Sequence, residues 1–194
     1  MKAKESATGK LRATSMKHIA CAILIVLLAA CTGKSSTSTP AENTPTNNNS
    51  QTIISNETMQ ENMQEVLAYL KECGTYFLAT SDGNQPRVRP FGSAEIINGR
   101  LYIMTGKVKN VYKQLSANGH FELCALKPTG REWLRLSGTL VNDESLAVKE
   151  EFLKREPSLN SMYKADDGNM AVLYITDATA RFCGFGGKER TIKF

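Results

Sequence analysis

Pro86-Arg-Val-Arg-Pro-Phe-Gly92, followed shortly by Asn98-Gly-Arg-Leu-Tyr-Ile-Met-Thr105, is the stretch on which the fold turns. Alternation along an extended chain puts Arg87 and Arg89 on one face. Pro90 removes a ladder donor, so the strand beginning at Pro86 is expected to break near Pro90 and Gly92, at an edge, a bulge or a mouth where a ligand meets the backbone. Asn98-Gly99 is a hairpin signal, and Arg100 to Thr105 reads as the return strand.

Working outward, Thr58 to Cys73 reads as a helix. Met59, Met63, Val66, Leu67 and Leu70 recur at helical spacing, Thr58 and Glu61 fit a capping box, and Gly74 ends it. Thr75 to Ser81 reads as a strand closed by the turn Asp82-Gly83-Asn84. Downstream, Val108 to Ala117 reads as a short helix with Val111, Tyr112 and Leu115 on one side. Phe121–Leu126 and Glu132–Leu140 read as strands around a turn at Gly130. Asp143 is expected to cap a helix that Pro157 stops, before a long strand, Met170–Phe182, and an edge at Thr191–Phe194. Antiparallel strands joined by hairpins, with short helices inserted, give an α+β protein built on a closed or partly closed antiparallel barrel.

The first 56 residues have a different character. Lys17 and His18 precede the apolar run Ile19–Ala30, which is too short to span a bilayer comfortably and has the size of a signal-peptide core. It ends Leu28-Ala-Ala-Cys31, which resembles a bacterial lipobox, with Cys31 as the lipid acceptor. Met16 is an alternative start to Met1. Residues 32–56, rich in Ser, Thr, Asn and Pro, read as a flexible tether, and 57–194 as the folded domain. The expectation is an exported protein held at a membrane, inner or outer, by its lipid.

Charge and cysteine content narrow the function classes. Of the net charge of +5, all but about +1 lies in residues 1–30, where Lys2, Lys4, Lys10, Arg12 and Lys17 face Glu5. The domain therefore lacks the cation density that nucleic-acid binding requires. His120 is its single histidine, which argues against a histidine metal site or a Ser-His-Asp triad. Cys73, Cys124 and Cys183 are odd in number and are expected to be buried and unpaired. Asp166-Asp167-Gly168 and Gly184–Gly187 read as turns, since neither has the spacing of a metal or phosphate loop.

Two segments carry candidate chemistry. The arginines of Pro86–Gly92 could grip a phosphate beside exposed peptide groups. Thr105-Gly-Lys-Val-Lys-Asn110 runs from a strand end into a helix start, where free N–H groups, a hydroxyl and lysines favour an anion.

Together with Tyr76–Thr80, Lys109–Asn118, Glu132-Trp-Leu-Arg-Leu-Ser-Gly138 and Pro157–Gly168, these segments resemble the pyridoxamine 5'-phosphate oxidase-like family. The resemblance implies the FMN-binding split barrel, a homodimer with flavin at the subunit interface, and a small-molecule redox substrate. It implies that Arg89 contacts the flavin phosphate. Val88, Pro90 and Phe91 would face the ring, with Met104 and Thr105 near ring and phosphate. Lys109, with Lys107 as the alternative, would be the basic phosphate ligand, and Trp133 would reach the flavin, across the dimer. Trp133 reads equally well as a core or dimer-interface residue. The oxidase's substrate-phosphate lysine is replaced at Ser93 and Ala94, and its C-terminal Arg/His motif is missing, so pyridoxine phosphate oxidation is not expected. A flavin-dependent oxidoreductase is the first reading. The others are a non-catalytic surface lipoprotein holding flavin, heme or a deazaflavin, and a cofactor-free interaction protein.

Overall fold

Between Pro45 and Gly74 the chain has neither proline nor glycine. In the computed structural model, which describes residues 48–194, helix α1 (Asn48–Cys73) occupies most of that interval. The helix thus begins at Asn48 rather than Thr58. Thr58 is interior to it instead of capping it, and part of the expected tether is helical. The leader, Cys31 and the rest of the tether lie outside the described residues. Met63, Val66 and Leu70 form the buried stripe of α1, while Met59 stays 40% exposed. Gly74 ends the helix at φ 68°, its N–H bonded to Leu70 O at 3.0 Å.

Eight antiparallel strands follow: β1 (Tyr76–Asp82), β2 (Gln85–Phe91), β3 (Ala94–Ile97), β4 (Arg100–Gly106), β5 (His120–Leu126), β6 (Glu132–Asp143), β7 (Met170–Gly184) and β8 (Arg190–Lys193). They run in the order β2-β1-β5-β6-β7-β4-β3, with β8 on β7. The break expected near Pro90 is real: one proline-containing segment becomes two strands, β2 and β3, at opposite ends of the sheet. The curved sheet does not close between them, so the barrel is split.

Inside it, Leu78, Leu101, Ile103, Leu123, Leu134, Leu136 and Ala180 are fully buried beneath the α1 stripe. β4 is buried on both faces from Leu101 onward. Leu101 and Ile103 enter the barrel core. Tyr102 and Met104 enter a second cluster with Val148, Phe152 and Leu153 of helix α3 (Leu146–Arg155). A strand buried on both faces reads as a continuous apolar run, and Leu-Tyr-Ile-Met is one. The cap of α3 is Ser145, whose side chain accepts from Val148 N. Asp143, expected there, instead ends β6 and accepts from Tyr102 Oη at 2.9 Å and Ser145 N at 2.9 Å. Helix α2 (Asn110–Ala117) starts after Lys109, slightly later than expected, and buries Val111, Gln114 and Leu115.

The thiols are less buried than expected. Cys124 is exposed, and Cys73 and Cys183 are partly so. On β5 the inward positions are Phe121, Leu123 and Ala125, which leaves Cys124 on the outer face.

Candidate functional site

β2, the end of β4, the start of α2 and a 3-10 turn (Pro157–Ser161) converge on a cleft of about 220 Å3. It brings together Arg89, Pro90, Phe91, Met104, Thr105 and Lys109 of the residues singled out in the sequence. Gly92 and Ser93 continue its β2 side. Val111, Leu159, Met162 and Tyr163 complete the wall and were not among the expected ligands. The last three follow Pro157 in a segment with no strand or helix periodicity, so spacing gave no signal for them, although Pro157–Gly168 carried part of the family resemblance.

Arg89 lies opposite Leu78 in the β1–β2 ladder, so its side chain points to the barrel side of the sheet. Its Nη1 donates to Leu78 O at 3.2 Å and to Thr80 Oγ1 at 2.7 Å, and its Nη2 to Gln114 Oε1 at 2.7 Å. A guanidinium has five N–H donors, so two have no recorded partner among the described residues. No carboxylate pairs with it there either. Burial, with a smaller contribution from Arg87, pulls its pKa below the ordinary arginine value, the signature of a cation held without a counter-charge.

Lys109 stands at the N-cap of α2, with no side-chain cap on the helix. Its Nζ lies 5.8 Å from the centre of the Tyr163 ring. Val111 of the first α2 turn lines the cleft together with Arg89 and Lys109, and a helix start beside two cations is suited to a phosphate. Thr105 is almost fully buried at the β4 end. Gly106 next to it is closely packed: a Cβ there would sit 3.2 Å from both Tyr163 Oη and Asn169 Oδ1, so these side chains would have to yield slightly.

Three expected ligands lie elsewhere. Lys107 is turned from the cleft to Glu144, its Nζ 2.7 Å from Oε1. Val88 is 68% exposed, and the ladder places it on the opposite face of β2 from Arg89. Trp133 packs against Phe185 near Cys183, with ring centroids 5.4 Å apart. Val88, Phe77, Cys124, Leu126 and Trp133 share the outer face of the sheet, as their register pairs require. Phe77 and Leu126 are each about half exposed there.

Glu144 accepts from Lys107, Lys149 at 3.0 Å and Asn142 at 2.6 Å, and this ties the β4–α2 turn to α3. The two lysine hydrogen bonds hold its carboxyl pKa down to about 2, against an ordinary 4.5. A folded-state pKa below the unfolded one gives stability that is fully present above about 4.5 and is lost as pH falls toward about 2. Asp167 titrates in the same direction through backbone hydrogen bonds from Lys164, Met170 and Asn169. A comparison therefore isolates the effect: Glu144→Gln should show a shallower loss of thermal stability than wild type over this window. Parallel curves would mean that the Glu144 contacts contribute nothing.

A split antiparallel barrel with a phosphate-suited cleft at its open seam defines the class. Residues 62–183 match the pyridoxamine 5'-phosphate oxidase family. The chain also resembles a NimC/NimA family protein from Clostridium acetobutylicum at 40% identity, with a TM-score of 0.69, covering 72% of this chain and 96% of that one. This chain belongs to the pyridoxamine 5'-phosphate oxidase family.

Two more distant structures share the fold. General stress protein 26 from Bacillus anthracis is 15% identical, with a TM-score of 0.53 over 69% of this chain and 98% of that one. A heme binding protein from Mycobacterium smegmatis is 12% identical, with a TM-score of 0.51 over 64% and 57%. No protein of curated function matches the chain.

Proposed function

We propose that this protein is an FMN-binding flavoprotein and a flavin-dependent oxidoreductase acting on a small molecule. One observation carries the reading: Arg89 and Lys109, neither with a carboxylate partner among the described residues, line one cleft beside the α2 N-terminus. The residues present fit the group. Arg89, Lys109 and Thr105 would hold the phosphate. Phe91, Met104 and the backbone at Pro90, whose side chain the ladder turns to the outer face with Phe77, would lie along the ring. FMN, when bound, supplies hydride and electron transfer. The chain's part is to bind and orient it. Nothing in the cleft supplies an evident acid or base, and Ser93 and Ala94 stand where the namesake oxidase has its substrate-phosphate lysine. The proposed activity is therefore not pyridoxine phosphate oxidation.

The cleft is smaller than the several hundred Å3 usual for a bound cofactor or drug-sized ligand. The outer sheet face exposes Val88, Phe77 and Leu126 together. A homodimer would cover that face, enlarge the site, and bring Val88 and Trp133 to the flavin from a partner. Lys107, its charge paired with Glu144, would hold the β4–α2 turn rather than the phosphate. We further propose export and lipid anchoring at Cys31, with no nucleic-acid partner.

Anaerobic addition of reduced nicotinamide to the flavin-loaded full chain tests the enzymatic part. Bleaching of the flavin absorbance, with reoxidation by an added acceptor, is the expected result. Flavin that binds but that no nicotinamide or dithiol donor reduces would make the protein a carrier.

A further inference from the structure

Two buried polar side chains stand behind the cleft, where an apolar core would be expected. Thr80 on β1 is 5% exposed and Gln114 on α2 is 8% exposed. Burying such groups is costly unless they are hydrogen-bonded. Here each is bonded to the other and to Arg89. Thr80 Oγ1 donates to Gln114 Oε1 at 2.7 Å. Thr80 Oγ1 accepts from Arg89 Nη1, and Gln114 Oε1 from Arg89 Nη2, both at 2.7 Å. The three groups form a closed triangle from two strands and a helix.

The acceptors in this triangle are neutral, whereas several other cations among the described residues are held by carboxylates. Arg135 is held by Glu122, Arg155 by Glu151, Arg190 by Glu65 and Lys107 by Glu144. A carboxylate orients a guanidinium but also cancels its charge. A hydroxyl and an amide oxygen orient it and leave the charge available.

We propose that Thr80 and Gln114 are positioning residues that aim the unused donors of Arg89 at a phosphate while leaving its charge uncompensated. This rests on the reading of the cleft as an FMN site, and it explains why residue 114 is an amide rather than its isosteric acid.

The test measures FMN and riboflavin affinity side by side, because riboflavin lacks the phosphate. The full chain is compared with Thr80→Val, Thr80→Ser, Gln114→Leu and Gln114→Glu, each checked for folding by thermal melting. Thr80→Val and Gln114→Leu should weaken FMN on the order of 10-fold, and Gln114→Glu on the order of 100-fold because it neutralises Arg89. Riboflavin affinity should stay within about 2-fold throughout, and Thr80→Ser should match wild type. Where the apolar variants fail to fold, Thr80→Ser and Gln114→Glu carry the test. Parallel losses for FMN and riboflavin would mean a purely structural role and overturn the proposal, as would Gln114→Glu binding FMN like wild type. A wild type that binds both flavins, but FMN no better than riboflavin, overturns this proposal and the phosphate assignment while leaving flavin binding itself in place. A wild type that takes up neither flavin removes the flavin site and this inference together.

Discussion

Arg89→Ala is expected to weaken FMN binding on the order of 100-fold while leaving the domain folded. The two donors that the guanidinium keeps free can meet a phosphate as a charge-assisted pair, and such bonds contribute about 1.5–3 kcal/mol each. Losing the pair removes roughly 3 kcal/mol after partial compensation by water, about two decades in Kd. The fold should survive because Thr80 and Gln114 remain bonded to each other. Stability should fall by only about 1 kcal/mol. Arg89→Lys should recover part of the affinity, since it restores charge without the planar fork. Lys109→Ala should cost less, on the order of 10-fold, because a flexible lysine contributes as a point charge. Titration of each variant with FMN, read by flavin fluorescence, checks these values. Wild-type affinity in Arg89→Ala would place the phosphate elsewhere.

Gly138→Ala is expected to give the largest loss of fold stability from a single added methyl. The β6–β7 register shifts between Ser137 and Thr139, and Gly138 lies at that irregularity. A Cβ at Gly138 would sit 2.6 Å from Thr176 O and 3.4 Å from Asp177 O. The obstacles are backbone atoms of the facing strand, which cannot rotate away as a side chain can. Opposite, Asp177 has φ 53°, a conformation few non-glycine residues adopt. The bulge bends β7 so that its first half pairs with β4 and its second half with β8. Forcing it open should cost about 2–3 kcal/mol and lower Tm on the order of 5–10 °C. An unchanged melting temperature would show that the strands part there at no cost.

Much of the architecture was legible because hairpin chemistry is local. Asn98-Gly99 and Asp82-Gly83 fixed two turns, and Pro90 with Gly92 marked the break that becomes the seam of the barrel. The α1 start was not legible, since Asn48–Asn56 is polar apart from Ile53 and Ile54 and lacks a periodic apolar face. Its helicity follows from freedom from proline and glycine and from continuity with the segment that packs. The cap of α3 was misplaced because Asp143 and Ser145 are both good cap residues. Only the tertiary bond from Tyr102 assigns Asp143 to the strand end.

The cleft was legible in part for the same reason. Arg89 and Lys109 stand out as charges at a strand break and a helix start. Leu159 reaches the cleft from the 3-10 turn, and Met162 and Tyr163 from just beyond it; so short a run leaves no periodic pattern. Thr80 and Gln114 were illegible because their importance lies in a contact between distant elements. Lys107 and Lys109 could not be separated by spacing. Glu144, 37 residues from Lys107, decides between them.

Equilibrium titration of the purified full chain with FMN, followed by visible absorbance and flavin fluorescence, tests the central claim most directly. Saturable uptake of one FMN per chain, in clear preference to riboflavin, is the predicted result. A colourless chain that takes up no FMN at any concentration would contradict it.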